Sequence, residues 1–303
     1  MNFDRRIWKT GVMAVVATMI FALVIFRAEE WTRGLNSEFI AYGQTGGTGG
    51  TGGGTGGAGS SLTKIIPQIV VGSFDNNLTK YITVIQISNI GSAPITVSGN
   101  VYTTAGGPSK LSIKAGAASF SNGIVPSTQL EGNGTLVFTA DTADTGTVNW
   151  ARFSTTGSVA LSSYFEFRDV ANNTLYTRVG IPASAGDMAS FVIPRARNVA
   201  AGFDMGFALV NTGSTTASIT GVARDAAGAV LASRVFSLAP LNHTATFARE
   251  FFTATGCSPC LGTEASGTTY GTVTFTSTSA QFAATALSIE GGALASTALE
   301  RLQ

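Results

Sequence analysis

The chain is poor in the residues that carry most enzyme and metal chemistry. Its 303 residues include one histidine, His243, and two cysteines, Cys257 and Cys260. That stock cannot build a zinc site of four cysteines, or of two cysteines and two histidines, within one chain. Charge is scarce as well: 12% of residues are charged, against roughly 25% in an average soluble protein. With a net charge of +1 and no Lys/Arg cluster beyond the first ten residues, there is no electrostatic footprint for nucleic acid. The strained-turn signature G-x-S-x-G is missing, so His243 has no evident nucleophile to activate. We expect no catalytic residues, no cofactor and no metal.

Glycine is abundant, at 37 residues, and much of it is concentrated in QTGGTGGTGGGTGGAGSS, residues 44–61. A tract of this composition cannot bury apolar area and acts as a flexible spacer; eighteen residues span roughly 20–25 Å. Before it comes a basic start with Arg5, Arg6 and Lys9, then the uncharged run GVMAVVATMIFALVIF, long enough with its flanks to cross a bilayer. An uncleaved signal-anchor and a removed signal peptide both fit. The bulky, charged RAEEWTRG that follows lacks the small residues of a cleavage site. In either case the basic end stays in the cytoplasm and the remainder is exported. The expected partners are the membrane, through this segment if it is uncleaved, and a surface glycan or protein.

From Ile65 onward apolar residues alternate with period two. ITVSGNVY (95–102), GTVTFTST (271–278) and FDMGFALV (203–210) read as half-buried strands of antiparallel sheets, with turn residues recurring about every ten positions. The two halves also resemble each other in order. IIPQ (65–68) matches VIPR (192–195), and SNIGSAPITVSGNVYTTAGG (88–107) matches VNTGSTTASITGVARDAAGA (210–229). GNGTLVFTA (132–140) and GTVNWARF (146–153) have counterparts in LNHTATFAR (241–249) and GTVTFTST, while an insertion near 114–130 has none. The predicted architecture is all-β: two tandem antiparallel β-sandwich (Ig-like) domains, 64–187 and 188–303, after an N-terminal hydrophobic helix (1–33) and a Gly-rich linker (34–63).

The motifs W-A-R, F-R, G-I-P-A-S, V-N-T-G-S and H-T-A-x-F, within GTVNWARF, YFEFRD, GIPAS, LVNTGS and LNHTATF, resemble those of a poorly characterised group of exported bacterial β-sandwich domains. The resemblance covers most of 64–300 and implies fold and export, with no activity to transfer. This chain departs from the group in the CSPC loop and in the insertion.

Four features bear on a site. Cys257-Ser-Pro-Cys260 reads as a small local disulfide formed on export, since neither a helix N-terminus nor a thioredoxin-like context is visible to activate a thiol. Trp150 and Arg152 share one face of a strand, and Tyr164 lies on the next; together they form the candidate ligand face, suited to stacking on sugar rings, although a sandwich Trp is more often core, with a neighbouring Arg covering its rim. Asp141 and Asp144 are spaced to help bind calcium but lack the alternating acidic pattern of a calcium loop. Asn77, Asn133, Asn172 and Asn242 open N-x-T sequons in turn-like settings. The leading expectation is a non-catalytic structural or adhesive surface protein. A carbohydrate-binding or calcium-dependent adhesion module is the alternative, and a secreted hydrolase or thiol oxidoreductase a third.

Overall fold

The computed structural model describes residues 62–302 apart from 76, 143–144, 199, 263–266, 280, 291–292 and 298. The hydrophobic N-terminal segment, the Gly/Thr tract and Asp144 lie outside the described residues. Among the described residues, no helix is long and apolar enough to cross a membrane.

The described chain is all-β, with antiparallel sheets and one short helix. Its first half comprises β1 (Leu62–Val71), β2 (Thr79–Asn89), β3 (Ile95–Thr103), β4 (Ser112–Ala115), β5 (Ala118–Phe120), β6 (Ile124–Leu130), β7 (Thr135–Asp141), β8 (Thr147–Thr155), β9 (Val159–Asp169) and β10 (Leu175–Pro182). The second half comprises β11 (Ser190–Arg197), β12 (Asp204–Asn211), β13 (Ala217–Asp225), β14 (Val230–Leu238), β15 (His243–Phe247), α1 (Ala248–Thr253), β16 (Thr269–Ser277), β17 (Phe282–Glu290), β18 (Ala293–Thr297) and β19 (Glu300–Arg301). The first-half sheets run β1-β8-β3-β6 and β10-β9-β2-β7-β4-β5; those of the second run β14-β13-β16-β11-β19 and β15-β12-β17-β18. Read from β11, the second pair repeats the first strand for strand. Only the β4–β5 hairpin, β19 and α1 are extra. The insertion is therefore smaller than the sequence suggested: β6 occupies the place that β14 fills in the second half.

Local chemistry explains why the order repeats. Asn89 closes β2 with its side-chain amide donating to the carbonyls of Ala93 (2.8 Å), Leu130 (3.3 Å) and Glu131 (3.1 Å), while its Oδ1 accepts the Gly91 N–H (2.9 Å). Asn211 does the same at the end of β12, donating to Thr215, Leu238 and Ala239 and accepting from Gly213. Each buried amide thus ties three chain segments into one corner, satisfying carbonyls that the sheets leave over. Gly99 faces Phe153 across β3 and β8, and Gly221 faces Phe275 across β13 and β16. A Cβ on Gly99 would sit 2.6 Å from the Phe153 ring, and one on Gly221 3.0 Å from Phe275. The glycines leave the space in which the rings lie. All four of these pairs have the same spacing in the chain.

The two sheets of each half bury one core between them. Ile69, Ile85, Val97, Phe138, Phe153 and Phe165 meet in the first half; Phe191, Phe207, Ile219, Phe251, Phe275 and Phe282 meet in the second. Pro67 and Pro194 occupy matching sites on β1 and β11, at or next to sheet edges, where a missing N–H breaks no ladder. The cores are joined. Leu287 of β17 is buried within the first core and Leu294 of β18 packs against it, on the side where the edge strands β1 and β10 meet β17 and β18. Accordingly β1 from Ile65 to Val71, and β12 from Met205 to Asn211, are buried at every position. This corrects the half-buried reading of FDMGFALV: Gly206 and Ala208 are small because the first half covers that face, not because water does.

Replacing Asn89 or Asn211 by Ala strands several buried backbone groups, so each substitution should lower stability by about 3 kcal/mol. Urea denaturation should give similar losses for the two, reflecting their equivalent corners.

Candidate functional site

The residues singled out in the sequence converge on the seam between the halves. Trp150, on the outer face of β8, is completely buried in a cluster with Ile65, Val210 and Ala283, with Tyr102 and Leu241 packed against it. Its ring stacks on Tyr102 at 4.4 Å and 18°, and its Nε1–H donates to the Leu241 carbonyl at 3.0 Å. Leu241 is left-handed, at φ 60°. The Arg152 guanidinium lies 5.7 Å from the Trp150 ring centroid and donates to the Thr212 carbonyl. Trp150 and Arg152 do share a face, and that face meets the second half rather than solvent. In the second half the corresponding cross-strand pair is Arg224 and Thr272, neither of them buried. One face has been made aromatic where it is covered and left polar where it is open.

The segment joining the halves is pinned to both. Ser184 exchanges two backbone hydrogen bonds with Ile65 (2.7 and 2.8 Å), the Thr212 hydroxyl donates to Gly186 O, and Met188 bridges to Phe282. The turn after β3 presses on residues 240–242, where a Cβ on Gly106 (φ 79°) would fall 2.9 Å from Asn242 Oδ1. Its counterpart Gly228 has open space around it.

His243 begins β15 beside this turn, its N–H donating to Thr104 O at 2.9 Å. Its side chain is buried, and burial lowers its pKa to about 4. The Pro67 carbonyl approaches the ring and opposes that shift, but neither ring nitrogen meets a partner in good hydrogen-bond geometry. A neutral imidazole filling a seam is the result.

Tyr164 lies elsewhere, on β9 in the other sheet, so the three residues do not form one surface. The Arg178 guanidinium sits 4.5 Å from the Tyr164 ring centroid. Beside it the largely buried Glu166 accepts from Arg168 Nε (2.7 Å) and from Arg178. Burial pushes the Glu166 pKa up, but the two guanidiniums outweigh it and hold the carboxyl below its ordinary value. Asp141 pairs with Lys80 at 3.3 Å. No group of three potential metal ligands occurs among the described residues.

Cys257 and Cys260 are joined, with Cα atoms 4.9 Å apart. Their loop lies along the edge of β14: Ser258 N–H donates to Ser233 O and Ser233 N–H to Pro259 O. The bridge thereby covers an edge that could otherwise pair with another strand. Sequence reading missed a further cluster inside the second half, where buried Arg195 and Arg197 face Asp204, with Arg197 Nε 3.3 Å from its carboxylate. Burial raises the pKa of Asp204 and of nearby Glu250. Alternation on β11 could have indicated it, since Arg195 and Arg197 continue the inward series Phe191, Ile193.

No protein-family model and no curated protein matches the chain. Among solved structures, a biofilm-associated protein BSP domain shares 9% identity at a TM-score of 0.17, over 83% of this chain and 61% of that one. Vicilin from tomato (Solanum lycopersicum) shares 7% at 0.14, over 69% and 77%. An anti-sigma factor domain-containing protein shares 6% at 0.12, over 70% and 79%. At these scores none of the three carries an argument about fold or function.

Trp150→Ala should cost about 3–5 kcal/mol and lower the midpoint of a single calorimetric transition, because loosening the seam also draws Leu287 and Leu294 away from the first core. The imidazole of His243 should make stability depend on pH. With its folded pKa near 4, against 6.5 in the unfolded chain, stability is full above about pH 6.5 and falls as pH drops toward 4. The loss should reach on the order of 3 kcal/mol. His243→Gln should abolish that slope in denaturation curves recorded across the window.

Proposed function

We propose that this is an exported, membrane-tethered and non-catalytic β-sandwich protein with a structural or adhesive role at the cell surface. Two tandem Ig-like sandwich domains, related by duplication, stand on a signal-anchor and a Gly/Thr spacer. The observation that supports this best is the use made of the chemically capable residues. Trp150 and His243 pack a seam, and Cys257 and Cys260 fasten a loop over a sheet edge. These are the features of a stiff body held away from a surface, where a flexible tract beneath it lets it reach its target.

Protease treatment of intact cells that carry the full chain tests the reading. Cleavage should fall within 44–61, release the β-body whole, and reduce attachment of the cells to a surface together with that release. A body that stays protected on intact cells, or attachment that survives its complete removal, would sink the proposal.

A further inference from the structure

The second half covers one sheet edge with the loop that the Cys257–Cys260 bridge closes. β14 is the outermost strand of its sheet, and its pairing with β13 sets Val222 opposite Ser233, Thr220 opposite Val235 and Ser218 opposite Ser237. On an edge strand the backbone groups of alternate residues point away from the sheet. At Ser233 both outward groups are taken by the loop: the Ser258 N–H donates to Ser233 O at 2.7 Å, and the Ser233 N–H donates to Pro259 O at 2.9 Å. Val235 and Ser237 are in phase with Ser233 and continue the outward row. No backbone partner meets their outward groups among the described residues.

No apolar anchor holds this loop along its length. Phe252 and Leu261 are buried at its two ends, where the Leu261 N–H donates to Phe252 O at 3.0 Å. Every residue between them is exposed or half-buried. What keeps residues 253–260 along β14 is the disulfide, the two hydrogen bonds with Ser233 and the pairing of Cys257 with Arg234. Cys260 is exposed, within reach of a reductant in solution. The first half guards the corresponding edge differently: β6 carries Pro126 and a register shift where it pairs with β3. Both of those blunt an edge permanently, whereas a disulfide can be undone.

We infer that the Cys257–Cys260 disulfide is a redox latch that switches the β14 edge between covered and open. A thiolate of an external dithiol attacks Cys260 Sγ, forming a mixed disulfide and expelling Cys257 as a thiolate. The second thiolate of the reductant then attacks its own sulfur in that mixed disulfide and releases Cys260. Two electrons pass to the protein, each cysteine sulfur takes up a proton, and the dithiol leaves as a disulfide. Without the ring the loop regains chain entropy, and its remaining contacts are surface hydrogen bonds that exchange readily with water. Once it lifts, Ser233, Val235 and Ser237 face solvent as one row. An uncovered row of this kind is a template for another strand. The bridge is present in the structure, so the inference stands apart from the export and adhesion proposed above.

Amide hydrogen exchange on the full chain in detergent, before and after treatment with dithiothreitol, provides the test. Thiol titration should show both cysteines freed while the protein stays folded. The Ser233 amide should then exchange about tenfold faster, with the amides of β13 and β16 keeping their rates. Removing the dithiothreitol and reoxidising should restore the slow rate, a reversal read in the wild-type protein and so independent of how any variant folds. Cys257→Ser/Cys260→Ser should show the fast rate from the outset and ignore the reductant. Ser233 protection that survives complete reduction, cysteines that stay joined until the protein unfolds, or equal acceleration throughout β13 and β16 would overturn the inference.

Discussion

Much of this structure depends on one indole hydrogen bond. Trp150 reaches from β8 to the carbonyl of Leu241, a residue held in a left-handed conformation that costs roughly 1–2 kcal/mol for a side chain of its kind. That cost is offset by the hydrogen bond the carbonyl accepts and by packing of the partly buried Leu241 side chain against the Trp150 cluster. With this turn fixed, His243 donates to Thr104 and Arg152 to Thr212, which sets the β12 sheet against β1. Leu287 and Leu294 then arrive at the open side of the first core. The halves are consequently interdependent: each is a sheet pair with its own core, but the first is closed only by side chains from the second.

Repetition and divergence are both visible at residue level. The asparagine corners and the Gly–Phe pairs are kept in both halves, because each serves folding within a half. One difference falls on the face between halves. Tyr102 and Trp150 on one side meet Val210, Ala283 and the small side chains of β12 and β17 on the other, and matched small and large residues let two sheet faces approach closely. The equivalent face of the second half carries Thr272 and Arg224 and stays open to water.

The sequence disclosed what is local. Period-two alternation located ITVSGNVY and GTVTFTST, turn residues marked most reversals, and two cysteines with no competitors implied their own bridge. Matching IIPQ to VIPR anticipated a register that the paired strands reproduce. The seam was not legible, since burial of an outer face depends on a partner surface distant in the chain. Ala208 and Gly206 looked like a solvent face, and Trp150 could be read as core or as a stacking platform but not as a contact between halves, for the same reason: alternation gives which residues share a face, not what lies against it. The short α1 helix in AREFFT was also unannounced, its six residues being too few for a helical period to register.

The central claim is that the two halves open together because the seam completes the first core. Native-state hydrogen exchange measured strand by strand on the intact protein tests this most directly. The slowest amides of β1, β8, β12 and β17 should exchange with one common opening free energy and one common denaturant dependence. A set of amides in either half that stays protected while the other half exchanges through a separate, lower-energy opening would contradict the account.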